Sequence, residues 1–269
     1  MRLQGIFARS DLLKRFRESR RPFEQISVGP TQVASYERVG WEQISVGRTR
    51  VRLQRDRSLP DWVETQTWRV MYMCGFPHLS GDGGARLVRG EGVENQLDVV
   101  AYDEDSAIVV ECKSSVGGTC NVDVQAELAL LNEHRNVVRQ ILNSGRGRED
   151  KLKVGGILVL YDVLFTDADS KRAAEMKLSI FDATAVQYYE RLAGLIGPAA
   201  RFQLFCEVFQ GQDVPGLSLK LPAVEFELGG NKAYSFAIRP SDLLKISFVA
   251  HRGRGATFKR TSAWLARNV

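Results

Sequence analysis

The chain is short of the residues that soft-metal and disulfide chemistry require. Its 269 residues hold four cysteines, Cys74, Cys112, Cys120 and Cys206, with no CxxC pair among them. Such spacing indicates neither a zinc site nor a disulfide framework, and it suits reduced thiols in a cytoplasmic protein. Histidine is scarcer still. His78, His134 and His251 are scattered and read as surface or structural residues rather than as a ligand set. No run reaches the roughly 18 apolar residues that span a bilayer. The longest, from Val154 to Phe165, is broken by Asp162, and the start, Met1-Arg2-Leu3-Gln4-Gly5, lacks the apolar stretch of a secretory signal. No membrane partner is expected.

What is present is the composition of a folded, water-facing protein, with 44% hydrophobic and 26% charged residues, long enough for one large domain or two ordinary ones. The net charge of +5 is unevenly spread. Residues 1–57 hold 13 Arg and Lys, twelve of them Arg, against 6 acids, whereas the remainder holds 24 basic residues against 26 acidic. An arginine-rich region is the electrostatic footprint of a nucleic-acid partner, and equally the mark of a solvated surface.

Residues 8–21 read as a basic helix or arm ending at Pro22. Two near-identical words follow, Phe23-Glu24-Gln25-Ile26-Ser27-Val28-Gly29 and Trp41-Glu42-Gln43-Ile44-Ser45-Val46-Gly47. Too few for a solenoid, they suit two strands paired with each other, or a local duplication without function. The stretch 48–53 alternates strictly, placing Arg48, Arg50 and Arg52 on one strand face that could track a phosphate backbone. Ser58-Leu59-Pro60-Asp61 then signals a helix start, and Gly75 its end near Cys74. Within that helix Glu64 shares a face with Trp68 and Met71, so its carboxylate either snorkels to the rim or belongs to a charged site. A short strand near Ala85–Arg89, a helix from Asp123 to about Asn143 and a doubly buried strand from Val154 to Tyr161 complete a mixed sheet with helices on its faces. From Pro215 short alternating runs suggest a β-rich unit.

Chemistry concentrates in one stretch. Asn95–Tyr102 and Ala107–Lys113 read as two strands joined by the acidic turn Asp103-Glu104-Asp105-Ser106. Side chains two apart on a strand share a face, so Glu111 and Lys113 point the same way, and a hairpin register brings Asp98 opposite them. Asp98 and Glu111 are hard oxygen ligands suited to Mg²⁺, and Lys113 could assist an attacking water or neutralise charge on a phosphate. A surface ion pair would explain any such triple in a less apolar setting.

Asp98 followed by Glu111-Cys112-Lys113 resembles the D…(D/E)xK signature of the PD-(D/E)xK restriction-endonuclease-like superfamily, over roughly residues 58–182. Leu97 stands where that family carries proline. The resemblance implies a restriction-endonuclease-like mixed sheet flanked by helices, a metal site of Asp98, Glu111 and Glu64, and Lys113 as the catalytic lysine. It also implies an auxiliary polar residue on the following helix, for which Gln125 is the nearest match. A second resemblance rests on Gly40-Trp41-Glu42, Gly92-Val93-Glu94-Asn95-Gln96-Leu97-Asp98-Val99, Gln187-Tyr188-Tyr189, Gly197-Pro198-Ala199-Ala200-Arg201-Phe202-Gln203 and Leu243-Leu244-Lys245-Ile246. These phrases are similar to the DGQHR-domain proteins related to the DndB group of DNA phosphorothioation systems, although the DGQHR motif itself is absent.

The expected fold class is therefore α/β, a restriction-endonuclease-like mixed sheet followed by a smaller β-rich unit. The expected divisions are a basic N-terminal arm and strands over 1–57, a nuclease-like domain over 58–212 and the β-rich unit over 213–269. The expected function is a Mg²⁺-dependent DNA endonuclease of bacterial defence or DNA modification, with Mn²⁺ as a substitute ion and DNA as partner. A catalytically inactive DNA-binding or regulatory module is the alternative, and an assembly partner with purely structural charges is a third reading. A homo-oligomer and other defence-system proteins stay open as partners.

Overall fold

Ser58 caps the helix that its position predicts: its hydroxyl accepts the Asp61 N–H, and Gly75, at φ 92°, ends the helix in the left-handed region that glycine tolerates. This computed structural model describes residues 1–209 apart from 91, 116–121, 149 and 196, together with 224–228 and 231–235. The elements begin with β1 (Arg2–Gln4), β2 (Ile6–Ala8), α1 (Leu13–Glu18), β3 (Phe23–Val28), α2 (Val33–Glu37), β4 (Glu42–Val46) and β5 (Val51–Asp56). They continue with α3 (Leu59–Cys74), β6 (His78–Ser80), β7 (Ala85–Arg89), β8 (Gly92–Leu97), β9 (Val99–Tyr102) and β10 (Ser106–Ser114). Then come α4 (Val124–Leu142), β11 (Lys153–Tyr161), α5 (Asp167–Glu175), β12 (Leu178–Asp182), α6 (Ala183–Leu195) and α7 (Gly197–Phe209). A hairpin of β13 (Val224–Leu228) and β14 (Asn231–Ser235) follows.

The chain has an α/β fold whose central sheet runs β12-β11-β10-β9-β6-β2. The pairs β12–β11 and β11–β10 are parallel, and the others are antiparallel, so the sheet is mixed as expected. Parallel neighbours need a crossover, and α4 supplies the one between β10 and β11. Alternation along β10 divides the core. Ile108 and Val110 pack with Trp68, Met71 and residues of α6 and α7 on one face, while Ala107 and Val109 pack with Leu128, Leu131 and Val138 of α4 on the other. Both faces of β11 are covered, which explains its unbroken apolar run.

The region ahead of residue 58 splits between two roles. β1 pairs with β7 and β2 with β6, so the first strands belong to the main sheets. The basic segment after them is not a free arm either. Arg15 stacks on the Trp68 ring, with its guanidinium 4.1 Å from the ring centroid, and donates to the Ser80 carbonyl at 2.9 Å. Arg9 likewise lies over Tyr72. The residues from Phe23 to Asp56 form a three-stranded sheet of their own, in the order β3-β5-β4, with a small core of Val28, Trp41, Val51 and Leu53. The two repeated words are both strands, but they do not pair with each other. Each lies antiparallel to β5, which runs between them. The boundary expected at 212–213, Leu243–Ile246, and everything after Ser235 lie outside the described residues.

Candidate active site

The stretch 95–102 reads as one strand in sequence but is two in the fold. β8 belongs to the sheet β1-β7-β8, β9 belongs to the six-stranded sheet, and the chain bends between them at Asp98. Gly84 makes the bend available. It sits at φ 75°, and a Cβ there would lie 2.1 Å from the Leu97 carbonyl oxygen and 3.2 Å from that of Asp98. Only glycine permits that crossing. The β9–β10 register pairs Val99 with Val110, which sets Asp98 against Glu111 as a hairpin requires. Asp98 Oδ2 accepts the Cys112 backbone N–H at 2.7 Å, anchoring the acid to the strand that bears the other two groups.

Strand alternation turns Glu111 and Lys113 toward α4, and α4 meets each with a polar side chain. His134 Nδ1 lies 3.1 Å from Glu111 Oε1, with both side chains buried. An ionised Glu111 can only accept, so Nδ1 carries the proton in that state, and among the described residues the buried Nε2 has no hydrogen-bond partner. Lys113 Nζ pairs with Glu127 Oε2 at 3.3 Å. Neither Glu127 nor His134 figures among the site residues expected from sequence. The signal was nevertheless there: positions 124, 127, 131, 134 and 138 step by three and four along the buried stripe of α4, and two of the five are polar.

The acids crowd one another electrically. Burial first, then the charges of Glu111 and Glu64, push the Asp98 carboxyl up to about 8, against the opposing Cys112 N–H and Lys113. Glu64 rises for the same kinds of reason, burial first, then Asp61 and Glu111, with Arg15 and Lys113 opposing. Burial works to lower the Lys113 ammonium, but Glu127, Glu111 and Asp98 together outweigh it and hold the lysine above its ordinary value. The Cys112 thiol is driven well upward by burial and by Asp98, which argues against a thiolate nucleophile.

Two other expectations meet a different placement. Gln125 is exposed, and its Oε1 accepts from Arg172 Nη1 of α5 at 2.7 Å, so its side chain engages α5 rather than the acids. Arg48 and Arg50 are not on a strand. Gly47 N–H donates to the Arg50 carbonyl at 2.8 Å, closing a turn before β5 begins at Val51, so Arg52 alone of the three is a strand residue. All three are exposed.

Among the described residues, no three His, Cys, Asp or Glu side chains are grouped closely enough to hold a metal ion by themselves. Mg²⁺ asks for less, since it is held by one or two carboxylates with water and substrate phosphate completing its shell. The donor chemistry fits such an ion: Asp98 and Glu111 are hard oxygen donors, and a divalent cation would offset both the burial and the neighbouring acids that raise Asp98.

Neither family models nor curated proteins give a match to this chain. Among solved structures it is similar to protein VC1899 from Vibrio cholerae, at 15% identity and a TM-score of 0.37, over 69% of this chain and 49% of that one. It is also similar to Can2 from Sulfobacillus thermosulfidooxidans, solved in complex with cyclic tetra-adenylate, at 12% identity and a TM-score of 0.35, over 70% of this chain and 57% of that one. The chain spans about half the length of these two structures. No helix among the described residues is long and apolar enough to cross a membrane. Likeness at this level carries no argument about activity, so the functional reading rests on the chain's own residues.

Proposed function

We propose that the chain is a Mg²⁺-dependent DNA endonuclease that hydrolyses phosphodiester bonds at Asp98, Glu111 and Lys113, in the manner of the PD-(D/E)xK enzymes it resembles. One observation carries the reading: two carboxylates and an ammonium converge from adjacent strands, where burial first and then the charges of Glu111 and Glu64 lift Asp98 to about 8. Unrelieved repulsion between buried acids is costly in a purely structural cluster and useful in one that takes a cation. Asp98 and Glu111 would hold the ion, with Glu64 facing the same charge. Bound there, it would supply positive charge against the developing negative charge of the phosphate. Mn²⁺, with the same preference for oxygen donors, would substitute. Lys113, held by Glu127, keeps its proton and its charge at the place where a phosphate would lie. The setting in bacterial defence or phosphorothioate-linked DNA modification rests on the DGQHR resemblance alone.

A second reading, a DNA-binding module without turnover, is favoured by the pairing of Glu111 with His134 and of Lys113 with Glu127, which leaves each group already engaged. Incubation of the purified chain with plasmid, linear and phosphorothioated DNA, with and without Mg²⁺, separates the two. Mg²⁺-dependent strand breaks support the endonuclease. Binding without nicking of any DNA form supports the module.

A further inference from the structure

The small sheet β3-β5-β4 sorts its arginines by face. Those turned toward the body of the protein are paired: Arg55 Nη2 meets Glu24 Oε2 at 3.0 Å, and Arg57 Nη1 meets Glu24 Oε1 at 3.3 Å and donates to Thr65 Oγ1 at 3.0 Å. Arg48, Arg50 and Arg52, in the turn and on the outward face, are exposed and have no hydrogen bond or ion pair among the described residues. The three outward arginines are therefore free to meet an anionic partner.

The outward face has a defined chemistry. The β3–β5 register places Ser27 beside Arg52 and Gln25 beside Gln54. On the other side β4 sets Ser45 beside Arg52 and Glu42 beside Gln54. The repeated word is thus read in two ways, because Ile44 is an extra residue that shifts the register within β4. Two rows result, Ser27-Arg52-Ser45 and Gln25-Gln54-Glu42. Gln25 Nε2 donates to Gln54 Oε1 at 2.9 Å, which fixes the Gln54 amide and leaves its own N–H groups unused among the described residues.

Arginine pairs with guanine edges, glutamine with adenine edges, glutamate with cytosine, and serine with either kind of partner. The major groove, about 12 Å wide, admits a two-stranded β-ribbon, and β5 forms one with β3 or with β4. We infer that this sheet face is a DNA sequence-reading surface, in which Arg52 and Gln54 contact base edges in the major groove and Arg48 and Arg50 hold flanking phosphates. It commits the chain to duplex DNA of preferred sequence, and it rests on the reading of the protein as one that acts on DNA. The reader is joined to the site through Arg57, which reaches Thr65 beside Glu64 on α3.

The test is selection from a duplex library with a randomised core, using the full chain in EDTA so that binding is measured without cleavage. Wild type should enrich a defined sequence. R52A/Q54A should lower the preference for that sequence over a scrambled duplex by about tenfold or more while changing affinity for the scrambled duplex by about twofold at most. R48A/R50A should weaken binding to both duplexes alike and reduce the salt slope by about two. Unchanged circular dichroism and thermal midpoint establish that the variants fold. The inference is overturned if wild type enriches no sequence, binds no duplex, or enriches one that R52A/Q54A enriches equally. A chain that enriches a sequence but never cleaves leaves the reader standing and removes the endonuclease. One that cleaves with Mg²⁺ yet enriches nothing does the reverse.

Discussion

The Asp98 carboxylate accepts the backbone N–H of Cys112, the residue between Glu111 and Lys113, so the two acids of the site cannot drift apart to relieve their repulsion. A side chain tethered to a neighbouring strand's backbone keeps its place whatever its charge, and the cost of that charge appears in its pKa instead.

That cost makes stability depend on pH. Burial, then Glu111 and Glu64, raise Asp98 from 3.8 to about 8 in the folded chain. A carboxyl that holds its proton more tightly when folded contributes stability that is full below its unfolded pKa and is lost as pH rises toward the folded value. Without divalent ions, urea stability should therefore decline between about pH 4 and about pH 8. D98N should flatten the decline and be the more stable protein at the upper end, by at least about 1 kcal/mol. Added Mg²⁺ should stabilise wild type more at the upper end than at the lower, and D98N little at either.

His134 holds Glu111 from the middle of α4. H134A removes the partner of a buried carboxylate and should cost about 3 kcal/mol in urea unfolding. H134Q, which can still donate to Glu111, should recover most of that stability and most of the cleavage rate. Equal stability of H134A and wild type would show that the contact does not matter.

Glu127 acts on Lys113. Burial alone would lower the ammonium, and Glu127 leads the groups that reverse it. E127Q should lower the lysine's pKa, so the alkaline limb of the cleavage profile should move to lower pH. A profile unchanged in position would mean that Lys113 does not act in its protonated form.

Gly84 supports the bend at Asp98. G84A places a Cβ 2.1 Å from the Leu97 carbonyl oxygen at a φ that L residues avoid. The expected loss is about 2–4 kcal/mol, with reduced Mg²⁺ binding because Asp98 moves with Leu97. Calorimetric titration with Mg²⁺ on the folded fraction checks the second part.

Local signals were readable from sequence, and signals depending on distant chain were not. The Ser58 cap, the Gly75 stop, the apolar stripe of α4 and the Asp98–Glu111 register each rest on neighbouring residues or on one hairpin. The break at Asp98 depends on Gly84, which the sequence gives no reason to place beside Leu97. Gln125 is the nearest match to the polar residue that the resemblance implies on this helix, but helix rotation directs it to Arg172 and gives Lys113 to Glu127 two residues on. Charge alone makes residues 8–21 read as a basic helix or arm, whereas the rings of Tyr72 and Trp68 that receive Arg9 and Arg15 are more than fifty residues away. The repeated words could not reveal β5 between them, since a strand's partner is set by the whole sheet.

Plasmid cleavage in Mg²⁺ under single-turnover conditions, comparing wild type with D98A and K113A purified in the same way, tests whether Asp98 and Lys113 carry out hydrolysis. Strand breaks are expected from wild type, with a loss of roughly a thousandfold in each variant, the scale of removing a metal-holding or charge-stabilising group from a hydrolytic site. Cleavage by K113A at the wild-type rate, or equal nicking by all three proteins, would contradict that role.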